Sequence, residues 1–135
     1  MTNKPSFIYV EDEPLSRMVM EMLMVKSLGY KDITFLEDSS RFIETLESFE
    51  QVPTIIFLDI HVKPFDGFQM LSMLRQHRRF QQACVIAVTA SVMNEEVEML
   101  KAAGFNGGIA KPIDAVMFPK TLDAILNGEE IWQIA

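Results

Sequence analysis

Five short apolar runs alternate with longer amphipathic stretches along the chain, and this alternation restricts the fold more than any other feature. Most runs are rich in β-branched and aromatic side chains, whereas the fifth contains two glycines and is the weakest strand signal. Parallel strands need crossover connections, and the stretches between the runs have the periodicity of helices. The sequence therefore predicts an α/β fold with a five-stranded parallel sheet and helices on both faces. The predicted strands are residues 7–10, 33–36, 54–58, 85–88 and 107–110.

Proline and glycine mark the boundaries of the predicted helices. Pro14 suits the first turn of a helix that runs to about Leu28, and Gly128 ends the last helix. No linker, repeat or low-complexity stretch divides the chain. We therefore expect one domain over residues 1–128, followed by a C-terminal tail over residues 129–135.

The charge balance and the cysteine count argue against several classes of protein. The chain carries 12 Lys and Arg residues against 19 Asp and Glu residues, a formal net charge of −7. Nucleic-acid binders need clustered cations to displace counterions from phosphates, so no direct nucleic-acid partner is expected. No run approaches the ~18 apolar residues of a transmembrane helix, so no membrane insertion is expected. A lone cysteine forms no internal disulfide, which favours a cytoplasmic location.

Polar side chains follow four of the predicted strands, at the edge where a parallel sheet usually binds its ligands. Glu11 and Asp12 come directly after the first strand, and Asp59 follows the third. Thr89 ends the fourth strand, and Lys111 follows the fifth. Carboxylates brought close together repel one another unless a cation neutralises them, and an all-oxygen ligand set suits Mg²⁺ or Mn²⁺. The pattern therefore predicts a divalent metal site at this edge.

The same residues have the chemistry of a phosphoryl-transfer site. An ammonium and a hydroxyl beside a metal ion stabilise charge that spreads over three phosphoryl oxygens. One carboxylate in such a site can act as the nucleophile and become an acyl phosphate. Asp59 is the best candidate for that role, because Glu11 and Asp12 are adjacent and suit a metal-holding pair.

With these residues in this order, the chain resembles the receiver domain of response regulators in two-component signalling. Several separated motifs agree with that family in order and spacing, and the resemblance covers essentially all of the chain. It implies a flavodoxin-like (βα)5 receiver fold. The matching motifs are an apolar strand before Glu11-Asp12-Glu13-Pro14, an apolar strand before Asp59, then Asp66-Gly67, Val88-Thr89-Ala90 and Lys111-Pro112.

The resemblance implies a role for each residue around the nucleophile. Asp59 would be the phosphoacceptor, receiving the phosphoryl group from a histidine of a partner kinase or histidine phosphotransfer protein. Lys111 would pair with the phosphoryl oxygens, and Thr89 would turn toward them and report phosphorylation to the surface. The peptide bond between Lys111 and Pro112 is expected to be cis.

The resemblance also implies how the metal ion is held. Asp12 and Asp59 would bind Mg²⁺ or Mn²⁺ directly, whereas Glu11 would act largely through water. The backbone carbonyl of His61 would be a further ligand.

Two departures from the family pattern concern the switch and the mouth of the site. The family commonly has an aromatic residue three positions before the lysine, where this chain has Gly108. The family proline after the phosphoacceptor is displaced here by one position, to Pro64. Lys63 and His61 add basic groups near the site mouth, and we hypothesise that they alter the lifetime of the phosphoryl group.

The first predicted helix carries more apolar side chains than one buried face needs. Leu15, Met18 and Met22 form a stripe of their own at helical spacing. One interpretation is a wide core face in which flexible methionines fill gaps. The other, which follows from the use of this helix in receivers, is a partly exposed face that docks the phosphodonor.

Together these features predict a single-domain response regulator that accepts a phosphoryl group on Asp59 and signals through a downstream protein target or within a phosphorelay. We expect a phosphoacceptor signalling domain rather than an enzyme that acts on small substrates. One alternative is a pseudo-receiver that binds partners without phosphorylation. The other is an aspartyl-phosphate phosphatase, although such enzymes usually have a second acid where this chain has His61.

Overall fold

The computed structural model describes residues 4–133, which form one sheet with helices on both faces. The strands are β1 Phe7–Val10, β2 Ile33–Leu36, β3 Ile55–Asp59, β4 Val85–Thr89, β5 Gly107–Ala110 and β6 Ile131–Gln133. The helices are α1 Pro14–Glu21, α2 Phe42–Glu47, α3 Gly67–Gln76, α4 Asn94–Ala103 and α5 Phe118–Leu126. The strand order is β2-β1-β3-β4-β5-β6, and every neighbouring pair is parallel.

Hydrophobic side chains cover both faces of the sheet. Strands β1, β3 and β4 are buried along their whole length, as the central strands of a parallel sheet are. Side chains of α2, α3 and α4 pack on one face, and side chains of α1 and α5 pack on the other. The predicted α/β fold is therefore confirmed. Within the described part of the chain, every helix is too short or too polar to cross a membrane.

The sheet has a sixth strand, which corrects the expected count of five. Strand β6 lies in the predicted C-terminal tail and pairs with β5, with Gly107 opposite Ile131 and Gly108 opposite Trp132. A Cβ atom at Gly107 would lie 2.5 Å from the Ile131 carbonyl oxygen, so the glycine permits this close pairing. The strand has only three residues, too few for a recognisable alternation of side chains. Residues 134–135 of the predicted tail lie outside the described residues.

The first helix changes its geometry halfway along. The α-helical part ends at Glu21, and Met22–Ser27 continue as a wider π-helical segment. The backbone N–H of Leu28 accordingly donates to the carbonyl of Leu23, five residues earlier, at 3.1 Å. The sequence predicted one regular helix here, because apolar periodicity does not register a single widened turn.

Candidate functional site

Four strand ends bring the predicted site residues together at the carboxyl edge of the sheet. Glu11 follows β1, and Asp59 ends β3. Thr89 ends β4, and Lys111 follows β5. These four strands are consecutive neighbours in the sheet. Glu11, Asp59 and Thr89 are buried, whereas Asp12 is exposed at the rim of the site.

Three carboxylates form an acidic cluster at this edge. One oxygen from each of Glu11, Asp12 and Asp59 lies within 4.8 Å of the others. The pKa of Glu11 is raised, first because burial penalises its charged form and then because it shares a hydrogen bond with Asp59. Closely spaced carboxylate oxygens are the hard ligands that Mg²⁺ and Mn²⁺ prefer. The donor set therefore fits a divalent metal ion.

The ammonium group of Lys111 offsets part of this negative charge. Its Nζ lies 2.9 Å from Glu11 Oε1 and 3.4 Å from Asp59 Oδ2. Burial alone would lower the pKa of Lys111, but the hydrogen bond to Glu11 and the charge of Asp59 outweigh burial and raise it. The backbone N–H of Lys111 donates to the Thr89 carbonyl at 2.8 Å. The Lys111–Pro112 peptide bond is cis, as expected.

Ser91 connects the end of β4 to the loop after β3. Its backbone N–H donates to Thr89 Oγ1 at 2.9 Å, and its hydroxyl lies 3.0 Å from His61 Nε2. The backbone N–H of His61 in turn donates to Asp59 Oδ1 at 3.2 Å. His61 therefore contacts the candidate nucleophile through its main chain, while its ring contacts the loop between β4 and α4.

Tyr9, Arg17 and Ser91 are site residues that the sequence analysis missed. The Tyr9 hydroxyl donates to Glu11 Oε1 at 2.6 Å, and burial together with this bond raises the pKa of Tyr9. Arg17 donates to the backbone carbonyl of Glu11 at 2.7 Å. Tyr9 could have been found, because residues two apart on a strand share a face. Ser91 had no such signal, because its contact joins two loops that are 30 residues apart in sequence.

The first helix presents an exposed apolar row beside the site. The side chains of Leu15, Met18 and Met22 are 65%, 59% and 56% exposed, whereas Met20 between them is buried. The helix thus has a core face and a separate apolar face, which is not the wide core face of the first interpretation. Leu15 also lines a cleft of about 380 Å³ whose wall includes Lys111.

We expect Lys111→Met to destabilise the metal-free protein by about 3–5 kcal/mol, because it leaves Glu11 and Asp59 buried beside each other without a cation. Asp59→Asn is the matched variant, since it removes one carboxylate and keeps the ammonium. It should be at least as stable as the wild type. Urea unfolding in the presence of a chelator measures both free energies, and a Lys111→Met protein as stable as the wild type would contradict the proposed charge balance.

The sequence also matches a known protein family. Residues 7–123 match the sequence model described as the response regulator receiver domain. This match spans the first five strands and α1 to α4, and it ends within α5.

Curated relatives and a solved structure agree with this family match. Stress response regulator protein 1 of Debaryomyces hansenii is 26% identical over 113 residues, which are 84% of this chain and 46% of that protein. The chain thus spans less than half the length of that relative. The polar-differentiation response regulator DivK of Brucella abortus is 28% identical over 123 residues, covering 90% of this chain and 96% of DivK.

The solved structure is the receiver domain of a sensor histidine kinase from Pseudomonas aeruginosa, which holds a magnesium ion in its active site cleft. It superposes with a TM-score of 0.78 at 25% identity and covers 93% of this chain and 99% of that chain.

Proposed function

The chain belongs to the response regulator receiver domain family, and we propose that it accepts a phosphoryl group on Asp59 from a histidine of a partner protein. The observation that carries this proposal is the setting of the Asp59 carboxylate. One oxygen lies 3.4 Å from Lys111 Nζ, and the other accepts the His61 backbone N–H at 3.2 Å. A buried carboxylate held at both oxygens is an oriented nucleophile beside a cation that can stabilise the transferred group.

In the proposed transfer, an Asp59 oxygen forms a bond to phosphorus while the bond from phosphorus to the partner's histidine nitrogen breaks. The nitrogen keeps the electron pair of the broken bond, and Asp59 becomes an acyl phosphate. Lys111 pairs with the phosphoryl oxygens. The Thr89 hydroxyl, which accepts the Ser91 N–H in this structure, would turn away from Ser91 and donate its hydrogen to a phosphoryl oxygen.

We further propose that Asp12 and Asp59 hold Mg²⁺ or Mn²⁺ directly, with Glu11 acting through water and the His61 backbone carbonyl as another ligand. The metal ion would supply positive charge that offsets the charge on the phosphoryl oxygens. Support comes from the spacing of the three carboxylates within 4.8 Å and from the magnesium held by the Pseudomonas aeruginosa receiver domain.

The proposed phosphodonor is a histidine kinase or a histidine phosphotransfer protein. We propose that a helix of this partner docks on the exposed row of Leu15, Met18 and Met22, which lies beside the cleft that reaches Lys111. Docking there would hold the donor histidine near Asp59. The phosphorylated chain would then signal through a downstream protein target rather than nucleic acid, which a net charge of −7 disfavours.

The arrangement does not favour a phosphatase that turns over small substrates. Such enzymes usually use a second acid two residues after the nucleophile, and this position is His61. The ring of His61 contacts the Ser91 hydroxyl at 3.0 Å, so it is engaged with the neighbouring loop.

Incubation with acetyl phosphate and Mg²⁺ should add the mass of one phosphoryl group to the wild type. Asp59→Asn should gain none, because it replaces the nucleophilic carboxylate with an amide. Intact-protein mass spectrometry measures both. A chain that gains no mass although Mg²⁺ raises its melting temperature would instead support the pseudo-receiver, which binds partners without phosphorylation.

Met18→Glu and Met22→Glu should slow transfer from a histidine kinase or phosphotransfer protein that phosphorylates the wild type, because they put charge on the docking row. Phosphorylation by acetyl phosphate should be unchanged, since the site itself is intact. Ser72→Glu on α3 is the control, because it adds the same charge at an exposed position on a helix that packs on the opposite face of the sheet. Equal transfer rates to all of these proteins would contradict the proposal that the phosphodonor docks on the first helix.

His61→Asn and Lys63→Met should each shorten the lifetime of phospho-Asp59 several-fold. The first change removes the contact between His61 and Ser91, which opens the loop to water, and the second removes a cation from the loop that follows Asp59. Loss of the phosphoryl mass over time measures the lifetime. Lys26→Met, at the far end of the first helix, should leave it unchanged, and unaltered lifetimes in both test variants would contradict the hypothesis.

A further inference from the structure

Trp132 on β6 lies beside a part of the sheet that has almost no side chains. Ala87 on β4, Gly108 on β5 and Trp132 on β6 are neighbours across the sheet. Neighbours in register on parallel strands point to the same face, and Ala87 belongs to the core on the face covered by α2, α3 and α4. Trp132 therefore faces the side of α4, next to a methyl group and a bare glycine.

The indole of Trp132 joins β6 to α4. It is half-buried and packs against the core cluster that includes Leu100 of α4. The Nζ of Lys101, also on α4, lies 5.5 Å from the centroid of the indole ring, within the range of a cation–π contact. The indole Nε1–H donates to Glu130 Oε1 at 2.9 Å. Trp132 is thus fixed by β6 on one side and by α4 on the other.

The helix and the strand beside Trp132 are both close in sequence to residues of the candidate phosphorylation site. The helix α4 begins five residues after Thr89, at Asn94, and Ser91 between them is bound to the Thr89 hydroxyl. The strand β5, on which β6 is seated, runs into Lys111. A rearrangement of Thr89 would displace the loop that leads into α4.

We propose that Trp132 is a positioning residue for α4, and that its seating is coupled to the phosphorylation of Asp59. The coupling rests on the proposed function. In the present structure the Thr89 hydroxyl accepts the Ser91 N–H, and the indole contacts the Lys101 ammonium of α4. When Thr89 turns to a phosphoryl group on Asp59, that bond is lost, the loop and α4 shift, and the indole is unseated. Coupling between two sites is reciprocal, so removing the indole must ease occupation of the phosphoryl site.

The first test uses the fact that Trp132 is the only tryptophan of the chain. Wild type and Asp59→Asn are incubated with acetyl phosphate and Mg²⁺, and each sample is measured by intact mass and by tryptophan emission. The emission should change in proportion to the added mass in the wild type and stay constant in Asp59→Asn. Complete mass addition with constant emission would overturn the coupling and leave the proposed function standing. An absence of added mass would overturn the proposed function and the coupling with it.

The second test measures the reciprocal effect at equilibrium. The apparent affinity for beryllofluoride with Mg²⁺, a phosphoryl analogue, is measured by calorimetry. Trp132→Ala should raise it about 5-fold or more. Gly107→Ala should also raise the affinity, because a Cβ there would collide with the Ile131 carbonyl and weaken the pairing of β6 with β5, without changing Trp132 itself. Ile131→Val is the control and should keep the wild-type affinity, since Ile131 packs on the opposite face of the sheet.

Unchanged affinity in both Trp132→Ala and Gly107→Ala would overturn the proposal. Trp132→Phe separates coupling from loss of the fold, because it keeps an aromatic ring on α4. It should give an affinity between those of wild type and Trp132→Ala.

Discussion

The contact of Lys111 with two buried carboxylates is the interaction on which the rest of the site depends. Glu11 and Asp59 lie side by side out of solvent, with Asp12 at the rim, and the Lys111 ammonium contacts both buried carboxylates. Apolar side chains in these positions would cost the fold less, because a buried ion pair contributes little net stability. Two further hydrogen bonds stabilise these carboxylates. The Tyr9 hydroxyl donates to Glu11, and the backbone N–H of His61 donates to Asp59. Three carboxylates against one ammonium leave the edge negative, which suits it to bind a metal ion.

The sequence predicted the central sheet well, and the reason is physical. The runs that became β3 and β4 are continuously apolar because both of their faces are covered, which no exposed loop would tolerate. Prediction was poorer where tertiary contacts decide the backbone. The three residues of β6 carry no pattern of their own and are held by pairing with a strand that is distant in sequence. In the π-helical segment Met22–Ser27, backbone hydrogen bonds join residues five apart instead of four. The periodicity of the apolar side chains does not reveal this change.

The site was predictable to the extent that the main chain determines it. In a parallel sheet the residues that end neighbouring strands must meet, so Asp59 and Thr89 could be paired from the sequence. Contacts made by side chains between loops could not be predicted, because they depend on rotamers and loop paths. The bridge between His61 and Ser91 belongs to this class. The exposure of Met18 also needed the structure, since the helical period alone did not decide whether its stripe faced the core.

The two glycines of β5 allow the sixth strand to pair closely with it, and the sixth strand in turn fills the space that the glycines leave. Glycine in a strand is unfavourable by roughly 0.5–1 kcal/mol relative to alanine, and two in succession leave the first half of β5 without side chains to pack. At Gly107 the missing Cβ admits the main chain of Ile131, and at Gly108 the neighbouring position is filled by Trp132. Strand β6 thus covers an edge that would otherwise be open and supplies apolar side chains to both faces. One of those side chains, Trp132, also contacts Lys101 of α4, so the added strand touches the helix that follows the Thr89 loop.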